Sequence, residues 1–343
     1  TTIIHEFLHN LGLDHPFEGF ANIPGVADTY DMGNFALNQN IYSVMSYNDI
    51  NMADADGRET SGWPYAAGSI DQSFSTMGAF DLAYIQTLYG RNMTTATGND
   101  TYDLFAADGD GIYYKTIWDA GGDDLIRYDG ANDVVIDLRA ATLEASDGML
   151  AGGMLSAVDG VHGGFLIANG VVIENATGDD GDDRLTGNEA DNILTGRNGH
   201  DMLTGDAGDD LLKGGRGRDV LRGGRHNDEL KGGDGRDRLY GDERRDVIDG
   251  GAGRDYIAGG KGIDVLTGGA GIDTFFFNAN SASDTITDFT HGTDRIRIKG
   301  AASEFDDLVF TPDGSATIIT FGGVTIIAEN TAFGDWDAGD FLF

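Results

Sequence analysis

The chain contains no cysteine. Disulfide frameworks and thiolate metal sites are therefore excluded, and bound cations are the staple left to it outside a cell. Proline is scarce, 4 residues against 54 glycines, so the turns must be built from glycine and acidic residues. No stretch approaches the ~18 consecutive apolar residues of a membrane span. The first residues show neither the basic region nor the apolar run of a secretory leader. Positive charge is also short: 22 Lys and Arg face 58 Asp and Glu, a formal net charge of -36. Such an excess repels nucleic acid and anionic membranes and favours cations. The basic residues concentrate in one place, because residues 178–276 hold 14 of the 22. Hydrophobic residues make up 40 %, enough for a packed core, and the length suggests two or three domains.

From Gly178 the sequence falls into eleven contiguous nonapeptides ending at Phe276, beginning GDDGDDRLT and closing GGAGIDTFF. Position 1 is Gly in all eleven. Position 6 is aspartate at Asp183, Asp201, Asp210, Asp219, Asp228, Asp237, Asp246, Asp255, Asp264 and Asp273, with Asn192 the exception. Position 8 is aliphatic or Phe throughout. Gly at positions 1, 2 and 4 permits positive φ, and the Asp or Asn that often replaces it at position 2 tolerates the left-handed region. Residues 1–6 therefore read as a tight turn and 7–9 as a short strand. Side chains alternate across a strand, so position 8 points inward, and positions 7 and 9, which include Arg184, Lys213, Arg222, Lys231 and Arg238, face solvent. Two nonapeptides make one coil of a flattened spiral with a thin aliphatic core. The aspartates then form two columns that would repel one another. Hard divalent cations resolve this, and carboxylates with backbone carbonyls suit Ca²⁺. Ala190, His226 and Arg244 replace Gly at position 4, and the sites they border are expected to be weak. His200 and His226 read as solvated loop residues. The nonapeptide is identified as the RTX calcium repeat of the parallel β-helix.

The chain opens on HEFLHNLGLDHP, residues 5–16. On a helix His5 and His9 project from one face, Glu6 reaches the same point, Gly12 lets the chain leave sharply, and His15 returns as a third nitrogen. Three protein ligands with an open position form the catalytic rather than the structural arrangement of zinc. The run YSVMSY, residues 42–47, supplies the downstream Met-turn that accompanies the extended motif in metzincins, with Met45 as an apolar base beneath the site. Within that group the detail resembles the serralysins, in which Pro follows the third histidine, as Pro16 does, and the Met-turn reads S-x-M-S-Y, as Ser43 to Tyr47 do. Matrixins share the zinc motif but usually place Ser after the third His, and rank second.

The serralysin resemblance implies further features. Tyr47 would approach the zinc and stabilise an oxyanion. GAFDLAYIQTLYG, residues 78–90, has helical apolar spacing and would close the protease domain. WDAGGDD and GVVIENATG would form a calcium-binding approach to the roll, with Asp119, Asp124 and Glu174 as ligand candidates. Short β-like runs (ITDF, RIRI, ATIITF) would make a C-terminal cap. The final Asp340, Phe341, Leu342 and Phe343 resemble a type I export signal. The expected architecture is a partial α+β metzincin catalytic domain over 1–92 and a β-rich linker leading into the roll over 93–177. An all-β parallel β-roll over 178–276 and a C-terminal β cap over 277–343 follow. Because the chain starts four residues before His5, it reads as a fragment lacking the first half of the catalytic domain.

Two functions remain open at this stage. One is a secreted zinc endopeptidase acting on extracellular protein or peptide substrates, with one catalytic Zn²⁺, several structural Ca²⁺ and export through the type I machinery. The other is a non-catalytic calcium-binding module for secretion or surface adhesion. Either is expected to be a monomer with no nucleic acid partner.

Overall fold

In the computed structural model the described residues are 93–105, 114–142, 154–161 and 163–343. The histidine motif, Glu6, Met45, Tyr47 and the helix expected over 78–90 lie outside them. The α+β reading of residues 1–92 therefore has no counterpart among the described residues, which are nearly all β. None of their helices is long and apolar enough to cross a membrane.

The chain divides into two units, Thr1–Ile173 and Glu174–Phe343. In the described part of the first, the strands Thr101–Asp103 and Leu125–Arg127 pair in parallel. Tyr114–Ile117 pairs in parallel with Gly164–Ile167, and Val134–Asp137 pairs antiparallel with Ala157–Val158. Ile126, Tyr128, Ile136, Leu138, Leu166 and Ile167 are buried between them.

The second unit is a parallel spiral of two facing sheets. Strands in each sheet recur every eighteen residues, so Leu212 lies beside Leu194 and Leu230, and Leu221 beside Leu203 and Leu239. Two nonapeptides therefore make one coil, as the repeat requires. Position 8 forms the core: Leu185, Leu194, Leu203, Leu212, Leu221, Leu230, Leu239, Ile248, Ile257, Leu266 and Phe275 are all 0 % exposed. Each such side chain contributes on the order of 1.5–3 kcal/mol of burial.

Two expectations need correction. The strands are longer than positions 7–9. Leu211–Gly217, Glu229–Gly235 and Val247–Gly253 run from position 7 through position 4 of the next repeat. Successive glycine turns stack closely enough for the ladder to continue through them. The second correction concerns position 1. Positive φ is found at position 2 (Gly215, Gly233, Gly251) and position 4 (Gly217, Gly253), but at none of the position-1 glycines. There the constraint is space, since a Cβ would fall on the side chain five residues ahead: on Asp201 at Gly196, Asp219 at Gly214 and Asp246 at Gly241. Asp206, Asp242 and Arg197 take the left-handed conformation at position 2, and His226 and Arg244 at position 4. The last two are forced into a turn that glycine adopts at less cost.

The spiral continues past Phe276. Ser283–Ile286 pairs in parallel with Val265–Thr267, and Arg295–Lys299 with Thr274–Asn278. An antiparallel meander, Val309–Asp313, Ala316–Phe321 and Val324–Ala328, closes one sheet. Phe341–Leu342 closes the other against Arg295–Lys299. Phe289, Phe310, Trp336 and Phe341 pack in an aromatic cluster over this end, with Phe289 and Trp336 stacked 4.8 Å apart.

Candidate functional site

The position-6 aspartates form two buried columns. Each backbone N–H donates to Oδ1 of the aspartate one coil later. In the first column Asp183 donates to Asp201, Asp201 to Asp219, Asp219 to Asp237, Asp237 to Asp255 and Asp255 to Asp273, at 2.8–2.9 Å. In the second, Asn192 donates to Asp210, Asp210 to Asp228, Asp228 to Asp246, and Asp246 to Asp264. One carboxylate oxygen thus serves the backbone. The other is orphaned: Oδ2 of Asp201, Asp210, Asp219, Asp228, Asp237, Asp246, Asp255 and Asp264 is buried without a hydrogen-bond partner. It lies beneath the position-1 glycine, whose missing side chain leaves it room.

An unpartnered buried anion is costly, and the carboxyls respond. Burial pushes Asp219, Asp228 and Asp273 up from 3.8 to about 6, Asp201, Asp210 and Asp255 to about 7, and Asp246 to about 8. Asp237 and Asp264 move in the same direction for the same reason. The donated backbone hydrogen bonds pull each back only in part. This is the environment a hard cation relieves: anionic oxygens, glycine carbonyls nearby and no competing side-chain donor.

Three position-6 residues, Asn192, Asp183 and Asp273, lack the orphaned oxygen. At Asn192 the amide meets its own needs. Oδ1 accepts from the Asn188 N–H at 2.8 Å, and Nδ2 donates to the Glu174 carbonyl at 2.9 Å. That turn is closed without an ion. At Asp183, Oδ2 accepts from the Asp179 N–H at 3.0 Å. Glu174 offers its backbone carbonyl to Asn192 and stands outside the carboxylate cluster described below. His200 is exposed and accepts the Arg218 N–H at Nδ1, 2.9 Å, so it is a turn residue, as the sequence reading expects.

The columns also extend where the nonapeptide does not. The Asp264 N–H donates to Asp284 Oδ1, whose Oδ2 is buried and unpartnered, and the Asp273 N–H donates to Asp294 Oδ1. Burial pushes both carboxyls up, Asp284 to about 7. Sequence reasoning missed this pair because the turns before them lengthen and keep only one glycine, Gly292. The signal that finds them is D-x-I-x, in SDTIT and TDRIR, which repeats positions 6–9.

In the first unit, Asp100, Asp119 and Asp124 bring carboxylate oxygens within 4.8 Å of one another. Asp124 Oδ1 accepts the Asp100 N–H at 2.7 Å, the same contact that builds the columns. Asp119 accepts from the Tyr102 hydroxyl at 2.5 Å and the Gly121 N–H at 2.9 Å. Burial and the bond to Asp119 push the Tyr102 phenol well up. Two of the expected ligands, Asp119 and Asp124, thus share one cluster, and Asp100 joins them.

The family model described as "Peptidase M10 serralysin C terminal" matches residues 80–319. Serralysin of Proteus mirabilis is 37 % identical over 197 residues, covering 53 % of this chain and 34 % of the relative. A Serralysin C of Dickeya chrysanthemi is 39 % identical over 195 residues, with 54 % and 35 % covered. Metallopeptidase AprA of Pseudomonas marginalis is 31 % identical over 192 residues, with 53 % and 36 % covered. The matches thus span about a third of the length of each of these relatives. Among solved structures, the extracellular lipase LipA of Serratia marcescens aligns with a TM-score of 0.28 at 15 % identity, covering 53 % of this chain and 44 % of that one.

Proposed function

Because the chain belongs to the serralysin family, we propose that it is part of a secreted zinc endopeptidase whose roll folds on calcium. The observation that carries the protease reading is that family match on a chain that also bears H-E-x-x-H-x-x-G-x-x-H at residues 5–15. Three imidazoles form a donor set suited to zinc, with His5, His9 and His15 as the ligands. Zinc, when bound there, supplies Lewis acidity toward a scissile carbonyl and its attacking water. Glu6 takes the water's proton and returns it to the leaving amine. Tyr47 donates its hydroxyl to the developing oxyanion. Met45 would be the apolar base beneath the histidines.

Calcium is assigned to the orphaned Oδ2 columns. Asp201, Asp210, Asp219, Asp228, Asp237, Asp246, Asp255, Asp264 and Asp273 are its carboxylate ligands, with Asp284 added by the geometry. Asp100, Asp119 and Asp124 form a separate calcium site. Asp183 and Glu174, expected as ligands, are weaker candidates, Asp183 because its Oδ2 already accepts a backbone N–H and Glu174 because it stands outside the Asp100, Asp119 and Asp124 cluster. Without calcium the columns repel and the roll stays open for type I export through the C-terminus. In calcium outside the cell it folds, so that binding energy becomes folding energy. Protein and peptide chains are the substrates, and the protein acts as a monomer.

A second reading keeps to the part of the chain that the family model matches, residues 80–319. On that reading the chain is a calcium-binding module without catalysis. Casein hydrolysis by the full gene product, with zinc and calcium, separates the two. Activity that disappears in Glu6→Ala supports the protease. Zinc bound without activity supports the module.

A further inference from the structure

A cleft of about 980 Å³ lies on the outer face of the second sheet, between its last coils, the turn 299–303 and the terminal Leu342 and Phe343. Its chemistry runs against the rest of the chain. In a protein with a net charge of -36, five cations line it: Arg236, Arg238, Arg254, Arg297 and Lys299. All five are exposed. Among the described residues none of them forms an ion pair or a side-chain hydrogen bond, although carboxylates outnumber cations in this unit.

The floor is aromatic. Tyr240, Tyr256 and Phe276 stand on three successive coils, with ring centroids 6.0 and 5.7 Å apart. Each ring has a guanidinium as its neighbour in the strand register. Arg222 pairs with Tyr240 and lies 5.1 Å from its centroid, Arg238 pairs with Tyr256, and Arg297 pairs with Phe276. Arg222 is held by Asp242 at 2.7 Å. Arg238 and Arg297 are free to meet a ligand, and both act on the Tyr256 phenol, which burial pushes up and they pull down.

We propose that this cleft binds a linear polyuronate, an acidic polysaccharide whose rings stack on Tyr240, Tyr256 and Phe276 while its carboxylates pair with Arg238 and Arg297. Three features select that chemistry. Against the five exposed cations the lining holds two carboxylates, Asp237 and Asp255, both buried, so the cleft favours an anion. The repeated ring-plus-guanidinium unit matches a ligand whose charge is carried on the ring itself. In a nucleotide the phosphate stands away from the stacked base, and an extended acidic peptide has no flat face to offer. The row zigzags along the stacking direction of the coils, with ring centroids 6.0 and 5.7 Å apart. That step is shorter than the ~6.8 Å at which side chains recur on one face of an extended peptide. Arg236, Arg254 and Lys299 line the same cleft and hold flanking carboxylates. Guanidinium suits this task because its fork pairs with a carboxylate through two parallel bonds.

The proposal does not depend on the protease reading. It is tested by calorimetric titration of the calcium-saturated full chain with tetragalacturonate, which is short enough to avoid gelation. Saturable binding is expected, with none for the neutral cellotetraose. Arg297→Gln, at an exposed position, and Arg297→Gln with Tyr256→Ala should each weaken binding, the pair by about tenfold or more, while the calcium-dependent circular dichroism is unchanged. Calcium taken up by the sugar is the same for every variant and cancels in the comparison. The proposal is overturned if tetragalacturonate does not bind, if the variants bind it as the parent does, or if hexaglutamate or hexathymidylate binds as tightly.

Discussion

Stripping the metal from the roll should make its folding depend on pH in a direction opposite to ordinary acid denaturation. The column carboxyls are 0–2 % exposed, and burial places Asp219, Asp228 and Asp273 at about 6, Asp201, Asp210 and Asp255 at about 7 and Asp246 at about 8 in the folded chain, against 3.8 when free. The folded state therefore binds more protons than the unfolded state through this window, and stability falls as pH rises across it. Below about pH 4 both states are protonated and the contribution is complete. By pH 8 it has been lost at the groups near 6 and 7 and is being lost at Asp246. At ~1.36 kcal/mol per pH unit, each group costs on the order of 3–6 kcal/mol once ionised. A domain has a net stability of only about 5–15 kcal/mol, so ionising several such groups exceeds it.

Metal-free protein should therefore keep its β-signal near pH 4.5 and lose it between pH 6 and 8, whereas the calcium-loaded protein should remain folded at pH 8. The measurement is far-ultraviolet circular dichroism of metal-stripped protein across that range, with hydrogen exchange of peptides from residues 193–275 to place the change in the roll. Calcium at 100 times its Kd supplies about 2.7 kcal/mol per site, so several sites are needed to reverse the loss, and the calcium dependence should be cooperative. A metal-free roll that is fully protected at pH 8 would refute the reasoning, because the columns would then tolerate their charge unaided.

The columns also make predictions at single positions. Asp219→Asn should lower the calcium stoichiometry measured by calorimetry while stabilising the metal-free roll, because Asn192 shows how an amide satisfies this position. An unchanged stoichiometry would remove Asp219 from the ligands. Gly214→Ala should be as damaging to calcium binding as the loss of the aspartate itself, because its Cβ meets Asp219 Oδ2 and the Gly232 carbonyl. A cost of roughly 1–3 kcal/mol is expected from the overpacking, read as a higher calcium midpoint for folding.

The spiral was legible because each repeat places one requirement at a fixed offset. Position 8 gave the core, and position 6 gave the columns. Position 1 was read for the wrong reason. Its glycine could be seen in the sequence, but whether it answered a left-handed turn or a crowded carboxylate could not, since that depends on the residue packed against it. Asp284 and Asp294 escaped because the contact that defines a column member spans 20 and 21 residues there instead of 18. A period search loses them even though the local D-x-I-x run remains. Asp100 was invisible for a related reason: its partner Asp124 lies 24 residues away. The cleft was hidden for another, because Tyr240, Tyr256 and Phe276 occupy positions 9, 7 and 9 of separate repeats and become a row only when the coils stack.

The two ends of the spiral have different requirements from its middle. At one end Asn192 closes its turn with amide hydrogen bonds, so the first coil there forms without an ion. At the other, Phe275, Phe289, Trp336 and Phe341 bury an aromatic cluster over the last coils, and Asp340 anchors the final strand by accepting from the Gly292 N–H and pairing with His291 at 3.0 Å. Between them each coil carries unpartnered carboxylate oxygens. A stack of coils whose members touch only their neighbours gains stability through those interfaces. A first turn that needs no metal and an aromatic end that packs without one leave the coils from Asp201 to Asp284 as the part that calcium must complete. The charge that keeps this middle open in the absence of calcium is thus confined to coils whose neighbours on both sides can template them once the ion arrives.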